Sequence, residues 1–243
     1  MMTVAKQFVG VDGCKGGWFA FIKQAGVISY QCFTQLSDLN AYLASAACIF
    51  IDMPIGFPER GQPFRLCDKL ARQLLPKRAA SIFPVPCKAA VYAPDYAAAC
   101  LINEHLIGKR FPIQTWNITP KIRELDKLVS NNIQKNSRGH TYYESHPEVV
   151  FAGLAGKPML NSKSTLQGQV ERLALLCELV ALDMPVLKQA LSQTPKKLAK
   201  ADDIIDAFVL MYAAMQQQYW QFLPATADSD SDGNRRQIAY VVK

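Results

Sequence analysis

Residues 7–33 read QFVGVDGCKGGWFAFIKQAGVISYQCF, and the patterning of this stretch settles most of the architecture. The run 7–12 (QFVGVD) is a short apolar strand ending in Asp12, 17–24 (GWFAFIKQ) reads as a second strand and 27–33 (VISYQCF) as a third. Gly13, Gly16 and Gly17 turn the chain between the first two, and Ala25-Gly26 between the next pair. Connections this short join antiparallel neighbours, so a three-strand meander is expected. Working outward, Leu36, Leu39 and Leu43 share one face of a helix expected over 35–46, with Thr34 or Ser37 as its cap. Cys48-Ile49-Phe50-Ile51 is a continuous apolar run, too short for a buried helix, and reads as a central strand. Asp52 closes it, so the first and fourth strands both end in an aspartate.

Beyond that point prolines forbid helix through Met53-Pro54-Ile55-Gly56-Phe57-Pro58 and keep 83–86 extended. A helix is expected over 64–75, with Leu66, Leu70 and Leu74 on one face and Arg65, Asp68 and Arg72 on the other. Further helices are expected over 95–107 and 117–129, a strand ending at Tyr142-Tyr143-Glu144, and helices at 147–154, 165–181, 184–193 and 202–219. The tail 236–242 reads as one final strand. The whole is an α/β chain: a mixed sheet flanked by helices in a single domain, 1–243, with a mostly helical basic insertion at roughly 54–138.

Composition narrows the function classes. A chain of 243 residues builds a full core without staples. Half of it is hydrophobic, yet no apolar run approaches the roughly 20 residues of a membrane span, and the N-terminus has no charged-then-apolar leader. No membrane contact is therefore expected, and a cytoplasmic location is. The seven cysteines contain no CxxC pair, which disfavours both a zinc site and a disulfide framework. The net charge of +7 is unevenly spread. Residues 60–88 carry seven bases against Asp68 alone, whereas 201–243 carry twice as many acids as bases. Clustered bases suit a polyanion and clustered acids a divalent cation.

The acids form the main chemical candidate. If the first and fourth strands are neighbours, Asp12 and Asp52 meet at one sheet edge, and Glu144 is in the same strand-end situation. Asp203 and Asp206, three apart, share a helix face, with Asp202 the expected N-cap. Carboxylates gathered without His or Cys suit Mg²⁺ or Mn²⁺, and two such ions about 4 Å apart clamp an in-line displacement at a phosphodiester. Candidate substrate contacts are Lys15 and Lys163 for phosphate, Arg65 and Arg72 for backbone phosphates, and His146 as a proton shuttle beside the acids. The competing reading of Arg65 and Arg72 is a local ion pair with Asp68. Asp228-x-Asp230-x-Asp232-Gly233 mimics the start of an EF-hand loop but has Ala239 at its twelfth position, so an exposed turn is expected.

Four segments together carry a family resemblance: Val9 to Trp18 (VGVDGCKGGW), Ile51 to Gly56 (IDMPIG), Glu144 to Glu148 (ESHPE) and Ala201 to Ala207 (ADDIIDA). They resemble a family of predicted ribonuclease H-like nucleases, the domain of unknown function 429. That resemblance implies the ribonuclease H-like fold and metal-dependent cleavage of DNA or RNA. It implies Asp12 as the first-strand metal ligand, Asp52 as the fourth-strand acid, and Asp203 and Asp206 as paired helix acids like those of Holliday-junction resolvases. Glu144 matches a family-specific acid. Ribonuclease H proper carries a Glu in the helix at 35–46, where this chain has only Asp38, so the resolvase-like arrangement fits better. Nucleic acid is then the expected partner, and a homodimer is compatible with the chain. The alternatives are a non-catalytic nucleic-acid or protein-binding module, a phosphotransferase of the actin and sugar-kinase type, and an enzyme acting on a small phosphorylated metabolite.

Overall fold

The computed structural model describes residues 5–43, 47–135 and 140–243, with side chains described outside 131–135. The meander is as expected: β1 (Gln7–Cys14), β2 (Gly17–Gln24) and β3 (Val27–Phe33) are consecutive antiparallel neighbours. After α1 (Leu36–Tyr42), β4 (Ala47–Ile51) runs parallel to β1, and β5 (Thr141–Glu144) runs parallel to β4. The five-stranded mixed sheet has the order β3-β2-β1-β4-β5. The Asp52 N–H donates to Val11 O at 3.0 Å, so the two aspartate-bearing strand ends are tied side by side.

Between β4 and β5 lie α2 (Leu66–Leu74), α3 (Lys88–Val91), α4 (Tyr96–Ile107) and α5 (Ile113–Lys135). The chain continues through α6 (Pro147–Ala155), α7 (Leu166–Val180), α8 (Met184–Gln193) and α9 (Ala201–Met215). It ends in a hairpin of β6 (Trp220–Ser229) and β7 (Arg235–Val241), joined to β5 by a bridge from Ser145 to Ala239. Two apolar cores form, one on each face of the sheet. Phe19, Phe21 and Phe50 meet α6 to α9 on one side, and Val9, Val11, Ile49 and Ile51 meet α1 and α5 on the other.

The helix α9 explains the site's position. Every residue from Ile204 to Ala214 is buried, and beyond its first turn the helix is apolar all round except for Asp206, as befits a helix sealed inside the protein. It crosses β1 at Gly10, where an added Cβ would stand 2.0 Å from Met211 N and 2.1 Å from Ala207 O. Only glycine allows that backbone-to-backbone approach. On the other face α5 is held by Lys121, whose Nζ donates to Gly17 O at 2.5 Å above the Trp18 ring. Glu124 accepts from both Trp18 Nε1 and the Leu36 N–H.

Several expectations need correction. In α2 the buried face is Cys67, Asp68 and Ala71, while Leu66 and Leu74 are exposed, because Arg65 and Asp68 turn inward to pair with each other. Helix α5 starts earlier than residue 117 and runs through Pro120, whose missing N–H is replaced at Trp116 O by the Thr119 hydroxyl, which donates to it at 2.8 Å. Helix α9 stops at Met215, not 219, because Trp220 leaves it to pack on Phe50 and Tyr143 and opens β6, a strand the sequence reading did not anticipate. The Asp228–Asp232 turn is not simply exposed. Asp230 is buried and accepts from the N–H groups of Phe57, Asp232 and Asn234, so it knits the hairpin to the loop after β4. Positions 44–46 of the first expected helix and 136–138 of the insertion lie outside the described residues. Among the described residues, no helix is long and apolar enough to cross a membrane. All seven cysteines are free.

Candidate metal centre

Asp12 near the end of β1, Asp52 just past β4 and Asp206 on the second turn of α9 each offer a carboxylate oxygen, and these atoms lie within 4.8 Å of one another. Asp12 and Asp206 are 6% and 0% exposed. Burial, followed by repulsion from Asp52, pushes the Asp12 carboxyl well above its ordinary range. Burial lifts Asp206 to about 6 despite the opposing pull of Lys163. One oxygen of Asp206 is used by Lys163, at 2.5 Å, and the other, Oδ1, has no hydrogen-bond partner. Burial by itself would lower the Lys163 amine, but Asp206, Asp12 and Asp52 hold it protonated well above its ordinary value. Three carboxylates, two of them buried, share one ammonium, and a buried charge without a partner is costly.

Lys163 reaches this cluster because its loop is pinned. Gly168 at the start of α7 packs so tightly beneath that loop that an added Cβ would stand 1.9 Å from Ser162 O. Glu171 accepts the Leu160 and Asn161 N–H groups at 2.8 and 2.9 Å. Arg172, only 1% exposed, donates to Asn161 O and Gly168 O and pairs with Glu148 Oε1 at 2.6 Å across the Phe151 ring. Removing one member of such a pair strands a buried charge. Arg172→Met is therefore expected to cost about 3–5 kcal/mol, a fall in melting temperature of about 6–20 °C on a thermal scan. An unchanged melting temperature would mean that the pair is structurally idle and that Arg78, 3.5 Å from Glu148 Oε1, meets the charge without it.

The other candidates separate into those the fold brings to the cluster and those it does not. Asp203 lines the same cavity, but its Oδ2 accepts the Lys200 N–H at 2.8 Å. It caps α9 from the third helical position and stands outside the three-carboxylate group, so Lys200, not Asp202, is the N-cap residue. Glu144 also lines the cavity and is lifted by burial to about 7, against the pull of Arg65. Its Oε2 accepts from the Ile55 N–H at 2.7 Å and from Arg65. Arg65 is buried, not a surface phosphate contact: it caps α2 and pairs with Glu144 and Asp68. Cys67, Asp68 and Glu144 form a second group with metal-ligand spacing, but Arg65 already supplies its positive charge. Arg72 is spent on Ile82 O, which it holds with Nε and Nη2. Lys15 is exposed and absent from the cavity wall. His146 is in that wall; its Nε2 meets Ser81 O at 3.3 Å and its Nδ1 has no partner.

The cavity itself encloses about 310 Å³. Asp12, Asp52, Asp203 and Lys163 line one part of it, and Ile82 to Val85 with Ile118 and Ile122 of α5 line another. Sequence reasoning missed this apolar wall and also missed Glu148 and Arg172. Glu148 lay in a quoted motif, but nothing local reveals that its partner arrives from a helix 24 residues later.

No curated protein matches this chain and no solved structure does. A family model described as "Protein of unknown function (DUF429)" matches residues 10–228, a span that takes in Asp12, Asp52, Lys163 and Asp206. The chain belongs to that family.

Proposed function

We propose that this protein is a divalent-metal-dependent nuclease, a phosphodiester hydrolase built on a ribonuclease H-like core. The observation that carries the reading is the group of Asp12, Asp52 and Asp206, two buried carboxylates and a half-buried one within 4.8 Å, whose charge is only partly met by Lys163. The donor set fits a hard cation, since it offers carboxylate oxygens with neither sulfur nor imidazole. The unpartnered Asp206 Oδ1 and the Asp12 carboxyl, raised by burial and by Asp52, fit a site that a cation would neutralise. A bound Mg²⁺ or Mn²⁺ supplies Lewis-acid activation of a phosphodiester and of the water that attacks it.

The chain's own groups do the rest. Asp12, Asp52 and Asp206 hold and orient the cation. Lys163, kept protonated beside them, offers a fixed positive charge to a phosphoryl oxygen. His146, in the cavity wall with a free Nδ1, is placed to pass a proton beside the acids. The sheet order β3-β2-β1-β4-β5, with β4 and β5 parallel to β1 and acids on adjacent strand ends, supports the ribonuclease H-like assignment. The resolvase-like pair reduces to one ligand, Asp206, because Asp203 serves the helix end.

The test is turnover of a panel of DNA and RNA oligonucleotides and of bis(p-nitrophenyl) phosphate by the purified protein in Mn²⁺. Cleavage that stops in EDTA and falls by more than about a hundredfold in Asp52→Asn is expected. A metal-loaded protein that hydrolyses none of these would overturn the reading.

A further inference from the structure

The region beside the acid cavity has its own character. A second groove of about 490 Å³ shares Asp68, Pro84 and Val85 with the cavity, so the two adjoin across one wall. Its remaining lining includes Phe64, Lys69, Arg72 and Lys109. Phe64 is 56% exposed, so its ring is open to whatever occupies the groove. Lys69 and Lys109 are exposed and have no ion-pair partner among the described residues. A basic groove carrying an exposed aromatic therefore leads to a narrow cavity with acids on one side and apolar residues on another.

From this juxtaposition we infer that the protein takes a single-stranded nucleic acid, whose phosphates run over Lys69 and Lys109 with a base stacked on Phe64 and whose next nucleotide enters the acid cavity. The inference rests on the nuclease reading for its chemistry, but not for its geometry. Asp12 and Asp206 are buried and Asp52 is half-buried, and the 81–85 segment and α5 line the same cavity as Asp12 and Asp52. A duplex keeps its bases stacked inside the helix, so it cannot offer one to Phe64 without unpairing, which costs a few kcal/mol per flipped nucleotide. A single strand pays no such cost. A cavity of about 310 Å³ is at the lower end for a small-molecule site and suits one nucleotide at a time. Stacking on an aromatic together with cationic phosphate contacts is the recognition mode of sequence-tolerant single-strand binders.

Binding tests the strand class, and turnover separately tests the hydrolase. In Ca²⁺, fluorescence anisotropy with labelled single strands of about twelve nucleotides, both DNA and RNA, is compared with the blunt duplex of the same sequence. At least one single strand is expected to bind about tenfold or more tightly than the duplex. The K69E/K109E double variant is expected to weaken that binding by about tenfold and to flatten its log-log salt dependence by about 1.4. Phe64→Ala is expected to weaken it further without altering the salt slope. Equal or tighter duplex binding, no binding to any strand, or indifference to the charge reversal overturns the inference. So does displacement of the oligonucleotide by a mononucleotide of equal affinity, which would point to a small nucleoside phosphate. Single-strand binding without turnover in Mn²⁺ would leave this site standing and remove the hydrolase.

Discussion

Asp12→Asn is expected to make the metal-free protein more stable while destroying its response to Mn²⁺. The wild-type carboxylate is buried beside Asp52 and Asp206, and its raised ionisation records the cost of charging it there. An uncharged amide of the same shape removes that repulsion. A gain of about 1–2 kcal/mol at neutral pH follows, seen as a rise in melting temperature of about 2–8 °C in EDTA. Added Mn²⁺ should then raise the wild-type melting temperature strongly and the variant's hardly at all, with turnover lost by about a thousandfold.

The pH dependence has a definite sign. Asp206 is raised from its ordinary 3.8 to about 6, so the stability it contributes is present when it is protonated and is lost as pH rises through about 6. Metal-free wild type should therefore weaken between pH 4 and 6, a window in which most proteins strengthen. A metal-free D12N protein less stable than wild type at neutral pH would show that the three acids are not in mutual conflict, and the metal-centre reading would go with it.

Gly10→Ala is the second large effect. The new methyl would have to share space with Met211 N and Ala207 O, which are α9 backbone atoms and cannot swing aside as a flexible side chain does. Either α9 lifts from β1 or β1 bends. Both break the apolar contact that Phe21 and Phe208 make edge-to-face and carry Asp206 away from Asp12. The expected cost exceeds about 4 kcal/mol, a fall of about 10 °C or more in melting temperature or recovery only as insoluble protein. The control is Gly26→Ala, where no atom lies within 4 Å of the added methyl and only the positive φ of 83° is unfavourable. That variant should lose about 1 kcal/mol. Similar losses in the two would mean that α9 does not pack as described. In a soluble G10A protein, loss of the Mn²⁺-dependent shift would separate displacement of Asp206 from simple destabilisation.

Much of the site was legible because its parts are strand ends. Alternating and continuous apolar runs have unmistakable lengths, and an aspartate closing each of two neighbouring runs must emerge at the same sheet edge once those runs pair in parallel. Asp206 was legible for a related reason: it is the sole charge in an otherwise apolar helical stretch, 204–214. The basic insertion was read less well. Its arginines, counted along the chain, suggest a positive surface, but Arg65 is inside the protein on Glu144 and Arg78 reaches Glu148. Linear charge counts cannot tell a solvated cation from one buried on a distant acid. Leucine spacing in α2 misled similarly, since a buried ion pair outweighed the apolar face of the helix.

The amino-acid order alone therefore specified the meander, the central strand, the late helix and the shared sheet edge of Asp12 and Asp52, because strand and helix periodicities depend on neighbours within a few residues. Long-range packing selected among the candidates that remained. It assigned Asp203 to a helix end and Asp206 to the cluster, brought Lys163 in on a loop clamped by Arg172, and raised the 81–85 segment and α5 as a wall beside the carboxylates. Each of those outcomes is a contact between residues far apart in sequence, governed by burial cost and charge pairing across the fold, and local pattern carries no record of such partners.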